Sequence, residues 1–366
     1  MVQDRNIYLS IPYLEALEKT MERDIDIFYA IVYNEAKEPL MIAVFQLVIF
    51  EYRKNDHPKA ILKHFHNDAN KEGCFSMYIL VCGNVFSDGE NGFLWNSKIS
   101  EEDAMLQVVD ITKRIKNDKN TRKKLSVILF KEFWPQSVSY SDILKEHKFK
   151  DFMIDVNMVL PIHASWKSME DYLFSMKTKF RTKAKSVFKK SRSLEIKSLS
   201  YEEIITYKDR IQELFDNVLE RSDYIFGTIE PMTFAAFKKN LGITFSIRGL
   251  FYENKLVGFS TAFFHRGIME ANYVGIDYAY NLEYGVYQRL LYDYVDQAIT
   301  NGSKELQLGR TSELIKSSLG ARPINMKLYA KHKMALTNML MSTILGFVSP
   351  SKFELRKPFK ANFPNL

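Results

Sequence analysis

The chain has little cysteine, little histidine and no long apolar run, and each shortage argues against a class of function. Only two cysteines, Cys74 and Cys82, occur in 366 residues. Eight positions apart, they match no metal or redox spacing and read as two buried thiols of a reducing compartment. Three of the seven histidines, His57, His64 and His66, fall close together. No acidic or cysteine partner stands at ligand spacing from them, so no metal is expected. No Ser/His/Asp or Cys/His constellation is evident, which argues against a covalent enzyme intermediate. Gly83, Gly89 and Gly92 lack the Lys-Ser/Thr tail of a P-loop, so no nucleotide motif is read there. The longest apolar run near the front, Pro39–Phe50, is a strand's length, short of the ~20 residues that span a bilayer. The opening MVQDRNIYLSIPY lacks a basic segment followed by an apolar one, so no secretory leader is expected.

Aromatic residues and positive charge are abundant instead. Twenty tyrosines and 27 phenylalanines within a 46% hydrophobic composition indicate a globular chain, long enough for two cores. The net charge of +7 is unevenly placed: Lys177 to Arg192 holds eight basic residues and no acidic one. Such a run is either a solvated helix face or a docking ridge for a polyanion.

Periodicity and turn residues order the elements. A helix is predicted over 12–23, with Pro12 in its first turn, then strands over Asp26–Asn34 and Leu40–Tyr52. Met77–Cys82 is a strand running into the loop GNVFSDGENGFLW, whose backbone could face an anion. Glu101–Asn117 is an amphipathic helix, Lys124–Phe130 a strand, Ser141–Lys148 a short helix and Phe152–Leu160 a strand. Ser165 reads as the N-cap of one basic helix continuing past Lys190, with Leu173, Met176, Phe180, Ala184, Val187 and Phe188 on its buried side. Aromatics on that buried side rather than interleaved with the lysines favour an acidic carrier or anionic substrate over DNA or RNA. A strand over Leu194–Leu199, a long helix over Tyr201–Ser222 and a Pro231 helix follow.

From Lys255 to Pro323 the pattern is strand, strand, helix, strand and a short basic turn. Arg266-Gly267 makes the hairpin, Asn281 stands at the helix opening, and Asn301-Gly302 ends the helix. Leu282, Val286, Leu290, Val295 and Ile299 fall on its apolar face. Polar side chains of this stretch are candidates for the acid, base and anion-holding roles that transfer of a group to an amine would need. Tyr284 or Tyr287 could protonate a leaving group, and Asp277 could orient or deprotonate the amine. Arg310 and Lys316, following the last strand, could stabilise an oxyanion or hold a carboxylate. Met334–Ser351 carries no charge. It reads as a terminal helix, docked on the core or lying in a membrane interface with KFELRKPFK behind it.

The segments YVGIDYAYN, YQRLLYDYVDQAI, LGRT and IKSSLGARP resemble the GNAT superfamily, in the branch of Fem-type aminoacyltransferases and related Fem/BioF-like acyltransferases. The resemblance implies an α/β (α+β) fold of two tandem GNAT-like mixed-sheet units, the first degenerate. The expected divisions are 1–162 for the first unit, 163–193 for a basic linking helix, 194–333 for the second unit and 334–366 for a C-terminal helix and basic tail. Lys316 and Gly320 are similar to the family's Phe-Lys and Phe-Gly positions, which makes Lys316 the first catalytic candidate. Lys179, Arg181 and Lys185 match the family's basic linking helix, although Phe188 departs from its usual small residue. The loop with Asn84 and Glu90 is similar to loops near the family's acceptor site.

At the place of the acetyl-CoA signature stands Leu282-Glu283-Tyr284-Gly285-Val286-Tyr287. Tyr284, Gly285 and Val286 are the implied donor-binding positions, but Glu283 and Tyr287 depart from the signature, and ordinary acetyl-CoA is not expected. The implied activity is N-acyl transfer from a thioester co-substrate, acyl-CoA or acyl carrier protein, to an amine of an amino acid, amino sugar or lipid precursor. No tightly bound cofactor is expected. Two rivals remain: aminoacyl transfer from tRNA onto a cell-wall precursor, and a non-catalytic binding module. The implied location is cytoplasmic, with peripheral contact at the inner membrane face through 334–360.

Overall fold

In the computed structural model, residues 6–22, 24–53, 74–221, 229–345, 353–361 and 363 are described. His57, His64, His66 and the 223–228 loop lie outside them. The chain forms two compact units. The first comprises 1–155, 222–229 and 325–350, and the second 156–221, 230–324 and 351–366. Fourteen strands are described. They are β1 (Ile25–Tyr33), β2 (Pro39–Arg53), β3 (Cys74–Cys82), β4 (Phe93–Trp95), β5 (Leu125–Phe133), β6 (Lys150–Phe152) and β7 (Asn157–Pro161). The remainder are β8 (Glu195–Ser198), β9 (Phe245–Tyr252), β10 (Lys255–His265), β11 (Ile268–Ile276), β12 (Glu305–Gln307), β13 (Arg322–Ile324) and β14 (Lys327–His332).

The first sheet runs β1-β2-β3-β5-β14-β6, with β4 also on β2. The second runs β13-β7-β12-β11-β10-β9-β8. Each sheet has one parallel pair, β3 with β5 and β11 with β12. Parallel neighbours need a crossover, and the helices Glu101–Asn117 and Val286–Thr300 supply it. The first core lies between sheet and crossover helix, around Phe45, Leu80, Met105, Val108 and Phe130. In the second unit Tyr294, Val295 and Ala298 pack with Met176, Leu306 and Phe359, and Val286 and Leu290 with Leu250 and Val257. Cys82 is buried and burial pushes its thiol up; the Cys74 side chain is outside the described residues.

Several predicted boundaries move. Phe152–Leu160 is two strands in two sheets: β6 pairs with β14 in the first, and β7 lies between β12 and β13 in the second. β14, which falls inside the 194–333 stretch expected to form the second unit, completes the first sheet between β5 and β6. Alternation records that a segment is extended, not which sheet it joins. The helix after 165 is capped by Ser168, not Ser165, and stops at Ser175. Met176 is extended and bridges Phe359, and the basic helix restarts as Thr178–Lys190. The 201–222 helix is likewise two, Tyr201–Thr206 and Lys208–Leu219.

Candidate functional site

The second sheet opens at one place. β12 pairs with β11 over three residues, Ile268–Glu305 to Glu270–Gln307, while β11 continues beside β10 to Ile276. After Gln307 the chain follows β7 instead. The Leu308 N–H donates to the Met158 carbonyl at 2.8 Å, and the Met158 N–H to that of Gly309 at 3.0 Å. Buried Tyr294 holds the opening, its hydroxyl shared between the carbonyls of Thr261 at 3.0 Å and Tyr273 at 3.2 Å. The carboxyl ends of diverging parallel strands are where α/β sheets take ligands.

Four residues beyond β12 form the strained part of this end. Gly309, Thr311 and Ser312 all have positive φ, at 70°, 61° and 55°. For the two non-glycines that conformation costs about 1–3 kcal/mol each, so neighbouring contacts must hold it. Lys316 does so: it is 4% exposed, and its Nζ donates to the Arg310 carbonyl. The Ser312 carbonyl accepts the Ile315 and Lys316 N–H groups at 2.9 and 3.0 Å. The hydroxyl of Tyr287, from the first turn of the Val286–Thr300 helix, is hydrogen-bonded to the Ser312 side chain. Burial pushes the Tyr287 pKa up, outweighing the opposing effect of Ser312. It therefore stays protonated at neutral pH, able to donate. Tyr287, half-buried Arg310 and Lys316 thus meet around the 309–312 turn, together with Ser312.

Two members escaped the sequence reading. Ser312 sits in an unremarkable polar stretch, and only its backbone conformation and its bond to Tyr287 mark it. Asn157 is fully buried at the start of β7, and neither amide atom has a hydrogen-bond partner among the described residues. Its neighbour Met158 is the residue bonded to Leu308 and Gly309. A buried unpaired amide costs about 1–3 kcal/mol, which a ligand or water beside it would relieve.

The helix opening differs from expectation. Asp277, not Asn281, caps the first segment, Tyr278–Tyr284, accepting the Ala279 N–H at 3.1 Å. Gly285 then takes a left-handed turn at φ 66°, and Asn281 caps the next segment by accepting the Tyr287 N–H at 2.9 Å. Leu282, assigned by periodicity to the buried face, is 83% exposed because this turn breaks the period. Val286 is fully buried in the core, and Tyr284 packs on Tyr252 and Tyr280. The donor-binding positions therefore contribute a turn, a core side chain and a stacked ring. The Tyr287 N–H, which could have met a pyrophosphate, is already used.

Asp277 is bound from several sides. Besides its cap it pairs with Arg210 at 2.5 Å and lies 3.5 Å from Lys255. Burial pushes its pKa up, but the Arg210 hydrogen bond and the cap outweigh that, leaving it below the ordinary value of 3.8. A carboxylate so stabilised is a weak base.

The basic helix Thr178–Lys190 packs beside this opening. Phe188 lies 5.2 Å from Tyr292, Arg289 stacks over Phe188 at 5.3 Å, and the Lys190 Nζ donates to the Leu282 carbonyl at 2.5 Å. Lys177, Lys179, Lys183, Lys185 and Lys189 are exposed and Arg181 half-buried. The tail fastens the start of this helix: the Lys177 N–H donates to the Pro358 carbonyl at 2.8 Å.

Asn84 and Glu90 belong to the first unit. The Asn84 amide donates to the Tyr13 hydroxyl at 2.9 Å and accepts the Phe86 N–H at 2.9 Å. Gly89 donates its N–H to buried Glu132 at 2.7 Å, and the Lys131 Nζ donates to the Asn84 and Ser87 carbonyls. Glu90 accepts the Trp134 N–H at 2.6 Å and the Tyr140 hydroxyl at 2.9 Å, and burial pushes its pKa up. The loop thus spends much of its polarity on internal bonds. Among the described residues no three metal-ligating side chains gather.

No family model and no curated protein matches the sequence. Solved structures do match its fold. FemX is similar with a TM-score of 0.54 at 11% identity, covering 91% of this chain and 93% of that one. L-PGS from Bacillus licheniformis has a TM-score of 0.51 at 9% identity, covering 91% and 96%. A tandem GNAT protein from the clavulanic acid biosynthesis pathway has 0.50 at 7% identity, covering 88% and 87%. The fold is therefore two tandem GNAT-like units of mixed α/β sheet, the arrangement expected of the Fem-related branch.

Proposed function

We propose that the protein is an N-acyltransferase whose donor is an acyl group carried as a thioester on an acidic acyl carrier protein. The observation that carries this reading is the pairing of two features at the Val286–Thr300 helix. The Tyr287 N–H is capped by Asn281, which weakens the site for a coenzyme pyrophosphate. Beside it runs a helix of exposed lysines that suits a large polyanion. The acceptor is an amine on an amino acid, amino sugar or lipid precursor.

In this mechanism the amine attacks the thioester carbonyl directly. The C–N bond forms as the C–S bond breaks, the thiolate leaves as a thiol after taking a proton, and the proton that the attacking nitrogen sheds as the amide forms restores the Tyr287 hydroxyl. Tyr287, kept protonated by burial, supplies that proton through its bond to Ser312. Arg310 faces the developing oxyanion, and Lys316 holds the 309–312 turn in place through the Arg310 carbonyl. Asp277 orders the helix opening rather than taking the amine proton. The likeness to FemX supports a second reading, an aminoacyl group delivered by tRNA to the same lysine helix.

Native mass spectrometry of the full chain with acyl carrier protein, acyl-CoA and tRNA separates these. Retention of the acylated carrier, lost in a Lys179→Glu, Lys183→Glu variant, is expected. Retention of tRNA alone establishes the second reading, and retention of acyl-CoA unaffected by the variant refutes the role of the helix. With the donor that binds, Tyr287→Phe is expected to lower kcat roughly 10²–10³-fold at unchanged melting temperature.

A further inference from the structure

The helix Ala335–Leu345 is amphipathic the wrong way round for a surface helix. It packs on β14 and β6, and the side it buries carries Asn338 and Met341. Asn338 is used there as a polar clamp: its side chain accepts the His332 N–H at 2.9 Å and donates to the Lys148 carbonyl at 2.9 Å. The side it exposes carries Leu336, Met339 and Leu340, at 81%, 75% and 50% exposure, with Met334 just before. Positions 336, 339, 340 and 343 form one helical stripe, apolar but for Thr343. Such a stripe, with no charged residue from Met334 to Ser351, is what an element of the membrane interface presents.

The surroundings of the stripe select the occupant. Lys331, at the end of β14, has its pKa lowered by burial and by the nearby charges of Lys116, Lys148 and Lys113. Its Nζ donates to the His147 carbonyl at 2.8 Å and lies 5.2 Å from the Phe149 ring centroid. Exposed Lys333 follows, its N–H fixed to the Ser126 carbonyl at 2.9 Å. Asp110 offsets one of these charges by pairing with Lys113 at 2.8 Å. A lysine cluster adjoining an apolar helix matches an anionic bilayer, where headgroups meet the lysines and the stripe enters the acyl boundary. A second copy would bring lysine cluster against lysine cluster. The basic segment 353–361 belongs to the second unit, with Phe359 buried there and Lys360 4.0 Å from the Phe174 ring centroid.

We infer that the first unit docks on anionic membrane through the exposed face of the Ala335–Leu345 helix and its flanking lysines. No residue of the candidate site takes part, so the inference stands or falls apart from the proposed chemistry. The test is flotation of the full chain with vesicles of phosphatidylcholine alone and of phosphatidylcholine with phosphatidylglycerol. The wild type is expected to float with the phosphatidylglycerol vesicles and to be released by salt. Leu336→Glu with Met339→Glu, which alters only exposed positions, should weaken binding roughly tenfold or more. Lys333→Glu should weaken it severalfold for the anionic vesicles alone. No flotation, or flotation unchanged by the paired substitution, overturns the inference. So does a vesicle-indifferent dimer that Leu336→Glu dissociates, because a second copy would then cover the stripe.

Discussion

Half-buried Asp277 and fully buried Asn157 are polar residues with opposite electrostatic situations, and the difference decides what each substitution does. Asp277 is capped onto a helix and paired with Arg210. Its pKa is lower folded than unfolded, so it contributes stability that is present above the unfolded value and lost as pH falls through the folded one. Asp277→Asn should therefore cost about 1–2 kcal/mol at neutral pH, and the gap should close in acid below both values. Denaturant unfolding of both proteins across that range checks the sign; a gap that persists in acid would mean the ion pair contributes little. Asn157 is the reverse, with an amide that nothing among the described residues satisfies. Asn157→Leu should leave stability unchanged or raise it by about 1–2 kcal/mol. Turnover should fall together with it if the amide meets substrate. A large loss of melting temperature would instead show that ordered water partners the native side chain.

At the scale of elements, what is legible in either unit follows local chemistry. The Arg266-Gly267 hairpin, the Gly302 stop and the Pro231 helix start are each fixed by residues within a few positions. The helix opening was misread because two caps, Asp277 and Asn281, stand four residues apart, and only geometry shows that Gly285 divides them. Lys316, Arg310 and Tyr287 were found from their place after strands and at a helix start. Ser312 joins them through a backbone conformation that no composition records. Gly320 shows an element held by a single absent atom. Its φ is 102°, and a Cβ there would lie 2.1 Å from the Phe359 ring. Gly320→Ala is expected to cost about 1–3 kcal/mol and to free the tail whose Pro358 carbonyl holds the basic helix. Limited proteolysis should then cut within 353–361 faster than in the wild type, with global unfolding little altered in cooperativity.

For the whole molecule, the decisive fact is that neither unit is a continuous piece of chain. The chain enters the second sheet at β7, between β12 and β13, and returns to the first at β14, between β5 and β6. A fragment ending at 162 would hold β5 and β6 without the strand that joins them. A fragment beginning at 163 would leave β12 and β13 with an empty place between them, and the unpaired backbone of Leu308 and Gly309 would lose the Met158 bonds that set the candidate site. Unpaired interior strands cannot satisfy their N–H and C=O groups, so the loss is of folding rather than of a few contacts. Expressed separately, each half should give a poorly dispersed NMR spectrum and no sharp thermal transition. Co-expressed, the two should recover a cooperative unfolding step, because each then supplies the other's missing strand. If the 163–366 piece alone folded cooperatively, β7 would be dispensable to its sheet. The turn at 309–312 would then have to be held by Lys316 and Tyr287 alone, and Lys316→Met in that fragment would unfold it.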